Sequence, residues 1–180
     1  METVDLGHHT SKQYNSELEE VRSDLMKMGG QVEQQLRNAI EALMNADSEL
    51  ATQVIADDEL INKMEVQIDE ECALILARRQ PAASDLRFVL SVSKTVADIE
   101  RIGDHAAKIA KKASQLIKAD DSGEKGYIEI RHISEKVLGM LKSALDAFAR
   151  MDVDTALEVV KTDESVNLEY QSALRVMITN

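Results

Sequence analysis

The fold is decided by the stretch YNSELEEVRSDLMKMGGQVEQQLRNAIEAL, residues 14–43. Apolar or aromatic side chains recur in it at steps of three or four residues: Tyr14, Leu18, Val21, Leu25, Met28, Val32, Leu36, Ala39 and Leu43. That spacing places them on one narrow seam of an α-helix, as in helices packed into a bundle. The stretch therefore predicts a first helix that ends near Asn45–Ser48, where short polar side chains can cap the next helix.

The same periodicity continues through the rest of the chain. It predicts a second helix that ends before Pro81, which cannot continue a helix. A third helix is expected to begin at Ser84 or Asp85. Residues 120–126, DDSGEKG, form the predicted linker, a fourth helix follows it, and a fifth begins near Asp154. One Pro, no Trp and few aromatic residues also argue against a β protein. The sequence predicts an all-α fold.

Composition narrows the class of protein. The chain has 180 residues, 44% of them hydrophobic and 30% charged, which is typical of a globular domain. Its net charge of −12 disfavours nucleic acid and anionic membrane surfaces as partners. Cys72 is the single cysteine, so no internal disulfide forms and a reducing cytoplasm is expected. No signal peptide or stretch that could insert into a membrane is evident.

The chain also repeats itself. A shift of 105 residues, which carries Leu36 onto Leu141, aligns further identical residues: Ala39/Ala144, Ala42/Ala147, Asp47/Asp152, Ala51/Ala156, Val54/Val159, Asp58/Asp163, Glu59/Glu164 and Asn62/Asn167. The first repeat is predicted to contain three helices, whereas the second has a counterpart for only two of them. We therefore expect the chain to be a fragment, or another chain to complete the packing.

Acidic side chains interrupt the apolar seams of the second and third helices. The second helix carries a stripe of four polar residues, Asp58, Asn62, Glu65 and Asp69, and the third carries Glu100 and Asp104 around Gly103. Because burial of an unpaired carboxylate is costly, these groups should be protonated, paired with Arg or bound to a cation. Carboxylate and amide oxygens suit a hard or borderline metal such as Mg, Mn or Fe.

Several of these residues have simpler explanations. Acids four apart are typical of a solvated helix face, on which Arg101 or Lys108 could neutralise them. Glu129 and His132 have the ExxH spacing of di-iron bundles, but it occurs once, and a surface helix explains it. Cys72 lies on the second helix's seam and is interpreted as a core residue. No motif for nucleophilic catalysis or phosphate binding is present in the sequence.

Two blocks of the sequence resemble the PhoU family: ARRQPAASDLR at residues 77–87 and DIERIGD at residues 98–104. The similarity extends over nearly the whole chain. It implies a tandem repeat of three-helix bundles, in agreement with the internal repeat. Residues 1–119 would form the first bundle, 120–126 the linker, and 127–180 the first two helices of an incomplete second bundle.

The resemblance further implies metal binding through acidic ExxxD-type motifs. The matching residues are Glu100 with Asp104 and Glu65 with Asp69, with Asp58 and Asn62 beside them and Asp163 and Asn167 in the second repeat. The expected cofactor is a divalent or trivalent ion: Fe, Mn, Zn or Mg. Asn at positions 62 and 167 departs from the acidic pattern, and Tyr170 replaces Glu65 in the second repeat.

The function implied by the resemblance is that of a non-enzymatic negative regulator of the bacterial phosphate-starvation response. Such an adaptor links the ATPase subunit of a phosphate ABC transporter to a sensor histidine kinase. A homodimer is expected, because an incomplete second bundle would expose the apolar faces of helices four and five. Two alternatives remain: a di-metal carboxylate enzyme, with His105 as its only well-placed histidine, and a structural oligomer whose acids pair with Arg.

Overall fold

Five α-helices form the fold in a computed structural model that describes residues 6–119 and 127–179. They are α1 (Leu6–Asn45), α2 (Ser48–Arg79), α3 (Ala83–Lys118), α4 (Tyr127–Arg150) and α5 (Val153–Thr179). The predicted helices and the all-α class are confirmed. Helix α1 begins before its apolar seam, where Lys12 and Gln13 are exposed and contribute nothing to a hydrophobic pattern. The predicted linker at 120–126 lies outside the described residues, and the division into two bundles stays a prediction.

The α1–α2 and α4–α5 turns have the same structure, one repeat apart. Ala46 and Met151 both adopt left-handed backbone, with φ of 50° and 54°. The next residues, Asp47 and Asp152, each cap the helix that follows. Their Oδ1 atoms accept hydrogen bonds from the backbone N–H three residues further on, at 2.9 Å and 3.0 Å. The repeat seen in the sequence is therefore also a repeat of local structure.

Helices α1, α2 and α3 surround one core. Its largest buried side chains include Val21, Leu25, Met28, Val32, Val54, Ile61, Ile68, Cys72, Val89, Val92 and Val96. Each large aliphatic side chain contributes about 1.5–3 kcal/mol when it is fully buried. Along its C-terminal half α3 buries alanines instead, at positions 106, 107, 110 and 113. The predicted seams are thus the surfaces that pack, and the prediction of Cys72 as a core residue is confirmed.

The turn between α2 and α3 is tied to the beginning of α1. Arg79, the last residue of α2, donates two hydrogen bonds to the carboxylate of Glu17, at 2.6 Å and 2.9 Å. The Arg79 hydrogen bond holds the pKa of Glu17 below its ordinary value. Tyr14 donates a hydrogen bond of 3.1 Å to Asp85 at the beginning of α3. These two contacts hold all three helices together at the Pro81 turn.

Helix α4 packs against α1, which the sequence did not predict. Leu141 and Leu145 are each 9% exposed and join the core formed by the first three helices. Gly29 of α1 lies directly beneath Leu145. The rings of Phe88 on α3 and Phe148 on α4 stack with centroids 6.4 Å apart. The apolar face of α4, expected to be exposed, is therefore partly covered.

The backbone of helix α5 lies close to that of α4 and to no other helix in the described part of the chain. Its exposed apolar side chains include Val153, Leu157, Val160 and Leu168, each more than half exposed. The exposed face expected of the fifth helix is therefore observed. Within the described ranges, no helix is long and apolar enough to span a membrane.

Candidate functional site

Three of the predicted acidic residues, Asp58, Glu65 and Asp104, lie close enough to Glu100 for their charges to repel its carboxylate. Asp58 and Glu65 lie two turns apart on α2, and Glu100 and Asp104 lie one turn apart on α3. All four are half-buried. Burial raises the pKa of Glu100, and repulsion from Glu65, Asp104 and Asp58 raises it further. We call these four residues the acidic cluster.

Gln35 of α1 is buried beside Asp58 of the acidic cluster. It is the one polar side chain among the buried residues of the described chain, at 3% exposed. Its amide nitrogen lies 3.3 Å from the Val54 carbonyl and 3.4 Å from Asp58 Oδ1, both long for hydrogen bonds. Its Oε1 atom is buried and accepts no hydrogen bond from any described residue. An unpartnered buried acceptor is costly, so this atom would gain from a donor or a cation.

Gly103 leaves little room for a side chain in this packing. A Cβ atom there would lie 3.0 Å from Gln35 Oε1 and 3.3 Å from Ile61 Cγ2. Its place between Glu100 and Asp104 therefore brings α3 close to both α1 and α2. The groups that approach Gly103 are the side chains of Gln35 and Ile61.

One cation of the protein already reaches the acidic cluster. Lys108, one turn after Asp104, lies 3.0 Å from its Oδ2 atom in an exposed ion pair. The lysine charge partly offsets the rise in the pKa of Glu100. Arg101 points to Asp98 instead, at 3.5 Å. The cluster therefore retains a net negative charge with one lysine at its edge.

The acidic cluster has the ligand chemistry of a hard-cation site without its closed geometry. Carboxylate and amide oxygens are the donors that Mg²⁺ and Mn²⁺ prefer. Among the described residues, however, no three His, Cys, Asp or Glu side chains gather closely enough to hold a metal ion. The residues fit such an ion only if their side chains rotate inward, and Asp104 would then have to leave Lys108.

The remaining predicted ligands lie elsewhere. Asp69 accepts a hydrogen bond of 2.6 Å from Ser93, and Asn62 is exposed on α2. Asp163 and Asn167 are exposed on α5 and hydrogen-bond each other at 3.0 Å. Since α5 contacts only α4 within the described residues, this pair belongs to a separate surface.

Gln35 is the residue of this site that the seam analysis missed. It lies three residues after Val32 and four before Ala39, so it occupies the apolar seam of α1. Its position on a buried seam could have indicated a polar site, because a buried polar side chain needs a polar neighbour.

The comparisons with known proteins match nearly the whole chain. The family model described as "PhoU domain" matches residues 25–113 and 130–180. A Pseudomonas putida protein named "Phosphate-specific transport system accessory protein PhoU homolog" is 57% identical over 97% of this chain and 68% of its own length. An Escherichia coli protein named "Phosphate-specific transport system accessory protein PhoU" is 46% identical over 99% of this chain and 73% of its own length.

Solved structures show the same architecture. The crystal structure of PhoU from Pseudomonas aeruginosa superposes with a TM-score of 0.89 and 55% identity, covering 92% of this chain and 79% of that one. A phosphate transport system regulatory protein from Streptococcus pneumoniae superposes with a TM-score of 0.83 and 31% identity, covering 92% and 77%.

Proposed function

This chain belongs to the PhoU family, and from that membership we propose that it is a regulatory accessory protein of a bacterial phosphate transport system. The observation that carries the proposal is the 57% identity to a phosphate transport accessory protein over 97% of the chain. The similarity to a structure titled as a phosphate transport system regulatory protein supports it. The two segments matched by the family model include the acidic cluster and Pro81 in the first and Leu141 and Leu145 of α4 in the second.

In this proposal the chain is a negative regulator in the cytoplasm. It binds the ATPase subunit of the phosphate transporter and the sensor histidine kinase, and it holds the kinase in its inhibitory state when phosphate is plentiful. A rigid helical scaffold suits this role, because well-packed surfaces can be presented to two partners at once. The acidic net charge of −12 favours partner surfaces that carry basic residues.

The adaptor acts through binding rather than catalysis. Relatives are named accessory proteins. Cys72, the single thiol, is buried, and burial together with nearby Asp69 and Glu71 raises its pKa to about 11, so it remains a thiol at neutral pH. The alternative of a di-metal enzyme predicts that loading the chain with Fe or Mn produces redox or hydrolytic turnover. Detecting such turnover, abolished by Glu100→Gln, would replace the adaptor proposal.

The acidic cluster supplies the proposed cation site. Asp58, Glu65, Glu100 and Asp104 would hold a divalent ion such as Mn²⁺ or Mg²⁺, and the ion would neutralise their mutual repulsion. The raised pKa of Glu100 and the unpartnered Gln35 oxygen support this proposal. The cation would stabilise the packing of α2 on α3 and has no chemical step to perform.

We also propose that the chain forms a homodimer. The exposed apolar side chains of α5 would gain from burial against a second copy. Sedimentation equilibrium would measure the mass in solution. Replacement of Leu157 and Val160 by Ser would convert a dimer to a monomer, and a parent chain that is already monomeric would overturn this part.

Partner binding tests the adaptor proposal directly. The purified chain, immobilised, would be exposed to the transporter ATPase subunit and to the cytoplasmic part of the sensor kinase. Retention of both supports the adaptor. Retention of neither, by a chain whose circular dichroism shows it to be helical, would overturn it. A chain heated until it unfolds serves as the control for non-specific capture.

A further inference from the structure

A groove between α1 and α2 lies apart from the acidic cluster. It encloses about 510 Å³, part of which is open to solvent. Its lining comes from these two helices alone: Glu17, Glu20, Val21, Glu71, Leu74, Ile75 and Arg78. None of these residues belongs to the acidic cluster. We call this feature the α1–α2 groove.

The floor of the α1–α2 groove is rigid and apolar. Val21 and Ile75 are 1% and 4% exposed and belong to the core, so the floor is held by the packing of the bundle. Leu74 stands beside them and is 47% exposed. A half-exposed leucine next to a concave apolar surface favours the binding of another aliphatic chain.

The edges of the groove are acidic and poorly paired. Glu71 accepts a hydrogen bond of 2.9 Å from Gln67 through Oε1. Its other oxygen, Oε2, is buried and has no hydrogen-bond donor in the described part of the chain. Glu20 is exposed, and the described residues offer it no ion pair. Glu20 can therefore accept a hydrogen bond from a cation brought by a ligand, and Glu71 can do so once its side chain turns toward the groove.

The cations around the groove leave it negative. Arg79 is already held by Glu17, and Arg78 is exposed at the same end of the groove. Lys27 donates to Asp24 at 2.7 Å, and that hydrogen bond, followed by the charges of Asp24, Glu20 and Glu71, raises its pKa. The negative charges of Glu20 and Glu71 therefore act on Lys27, although its hydrogen bond is to Asp24. The net charge of the whole chain, −12, also attracts cations.

We propose that the α1–α2 groove binds a cationic amphipathic helix of a partner protein. The aliphatic side chains of that helix would lie on Leu74 and Ile75. The stem of a Lys or Arg would cross the same apolar surface and place its charged head between Glu20 and Glu71. The assignment of this partner to phosphate regulation rests on the proposed function, whereas the chemistry of the groove is independent of it.

A synthetic peptide tests the groove without any natural partner. The probe is a fluorescein-labelled amphipathic helix of about 15 residues, built from Leu, Ala and Arg. Its affinity for the full chain would be measured by fluorescence anisotropy. The double variant Glu20→Gln/Glu71→Gln should weaken binding about tenfold, because a partly buried charge pair is lost. The matched control is Glu70→Gln/Glu41→Gln, which removes the same charge from exposed positions of α2 and α1 and should change binding less than about twofold.

A second pair of variants tests the apolar floor. Leu74→Gln should weaken binding about threefold, since part of an aliphatic contact is removed. Leu60→Gln is its control, because Leu60 is similarly exposed on the same helix at 50% and does not line the groove. A probe with Ser in place of Leu should bind weakly to every variant. Circular dichroism of each variant excludes unfolding as the cause.

Three results would overturn the proposal. If the groove and control variants lose the same affinity for the probe, the net charge of the chain alone attracts it. If Glu20→Gln/Glu71→Gln weakens binding but the Leu and Ser probes bind equally well, the groove would be a site for a small cation and not for an amphipathic helix. Photo-crosslinking that maps the probe to a surface other than α1 and α2 would place it elsewhere. Failure of partner capture alongside intact probe binding would count against the proposed adaptor role and leave the groove intact.

Discussion

Gly29 of α1 and Leu145 of α4 approach so closely that a Cβ atom on Gly29 would displace the end of the Leu145 side chain. A Cβ atom on Gly29 would lie 2.5 Å from Leu145 Cδ2 and 3.1 Å from its Cδ1 atom. Gly30, the next residue, has nothing within 4 Å of the same position. Two adjacent glycines of one helix therefore have opposite surroundings, and only one of them positions α4.

The two glycines provide a matched test of how α4 docks. Gly30→Ala should raise the free energy of unfolding by about 0.5–1 kcal/mol, because alanine favours the helix. Gly29→Ala gains the same propensity but must displace Leu145, so it should be less stable than Gly30→Ala by about 1–3 kcal/mol. Urea denaturation measures both. Equal stabilities would contradict the packing described, and Leu145→Ala should remove most of the difference.

The twin turns predict a pair of stabilising substitutions. Ala46→Gly and Met151→Gly should each raise the free energy of unfolding by about 0.5–1 kcal/mol, because glycine adopts left-handed backbone without the cost of a Cβ atom. Ala56→Gly, at an exposed position inside α2, is the control and should lower it by a similar amount. Chemical denaturation checks all three. A loss at positions 46 or 151 would argue against the left-handed turns.

Glu100 predicts a pH-dependent stability. Its pKa is raised in the folded chain, so ionisation of Glu100 lowers the free energy of unfolding. This loss of stability is complete above the folded pKa and absent below the unfolded pKa. Glu100→Gln should therefore raise the melting temperature by about 1–3 °C at pH 7.5. The gain should vanish as the pH falls through the raised pKa toward 4.5, the ordinary glutamate value. A gain that is constant over this range would show that ionisation is not the cause.

A divalent cation should stabilise the acidic cluster. Mn²⁺ at ten times its dissociation constant would add about 1.4 kcal/mol to the free energy of unfolding. The variant Glu100→Gln/Asp104→Asn should lose this gain. The control Glu70→Gln/Asp98→Asn also replaces one Glu and one Asp, at exposed positions of α2 and α3, and should keep it. Denaturation with and without Mn²⁺, together with elemental analysis of the bound metal, makes the measurement. No gain in the parent chain would contradict the proposed cation site.

Local features of the fold could be predicted because they depend on neighbouring residues. The spacing of Tyr14 to Leu43 predicted α1, and Pro81 predicted the end of α2. The short polar side chains at 45–48 predicted a cap, which Asp47 provides. The docking of α4 could not be predicted in this way. It depends on Gly29 and Leu145, which are far apart in the chain, and helical periodicity does not say which helices will touch.

The candidate site likewise has local features that the sequence predicts and contacts between helices that it does not. The stripe of acids on α2 and the Glu100/Asp104 pair were evident from helical spacing, and Asp58, Glu65 and Asp104 lie close enough to Glu100 to raise its pKa. Whether they close around a metal depends on rotamers and on Lys108, which spacing does not determine. Gln35 shares the α1 seam with Val32 and Ala39, and the spacing of apolar residues alone does not reveal it. Asp163 and Asn167 repeat Asp58 and Asn62 in sequence, but within residues 6–119 and 127–179 only the α4 backbone lies close to α5.

A reporter assay can show whether this chain regulates the response to phosphate. The chain would be produced in a bacterium whose own PhoU family gene has been deleted and which carries a phosphate-starvation promoter fused to a reporter enzyme. In medium rich in phosphate, the account predicts that the chain lowers reporter activity toward the level of the undeleted strain. Unchanged reporter activity, with the folded chain accumulating to the level of the native regulator, would contradict it.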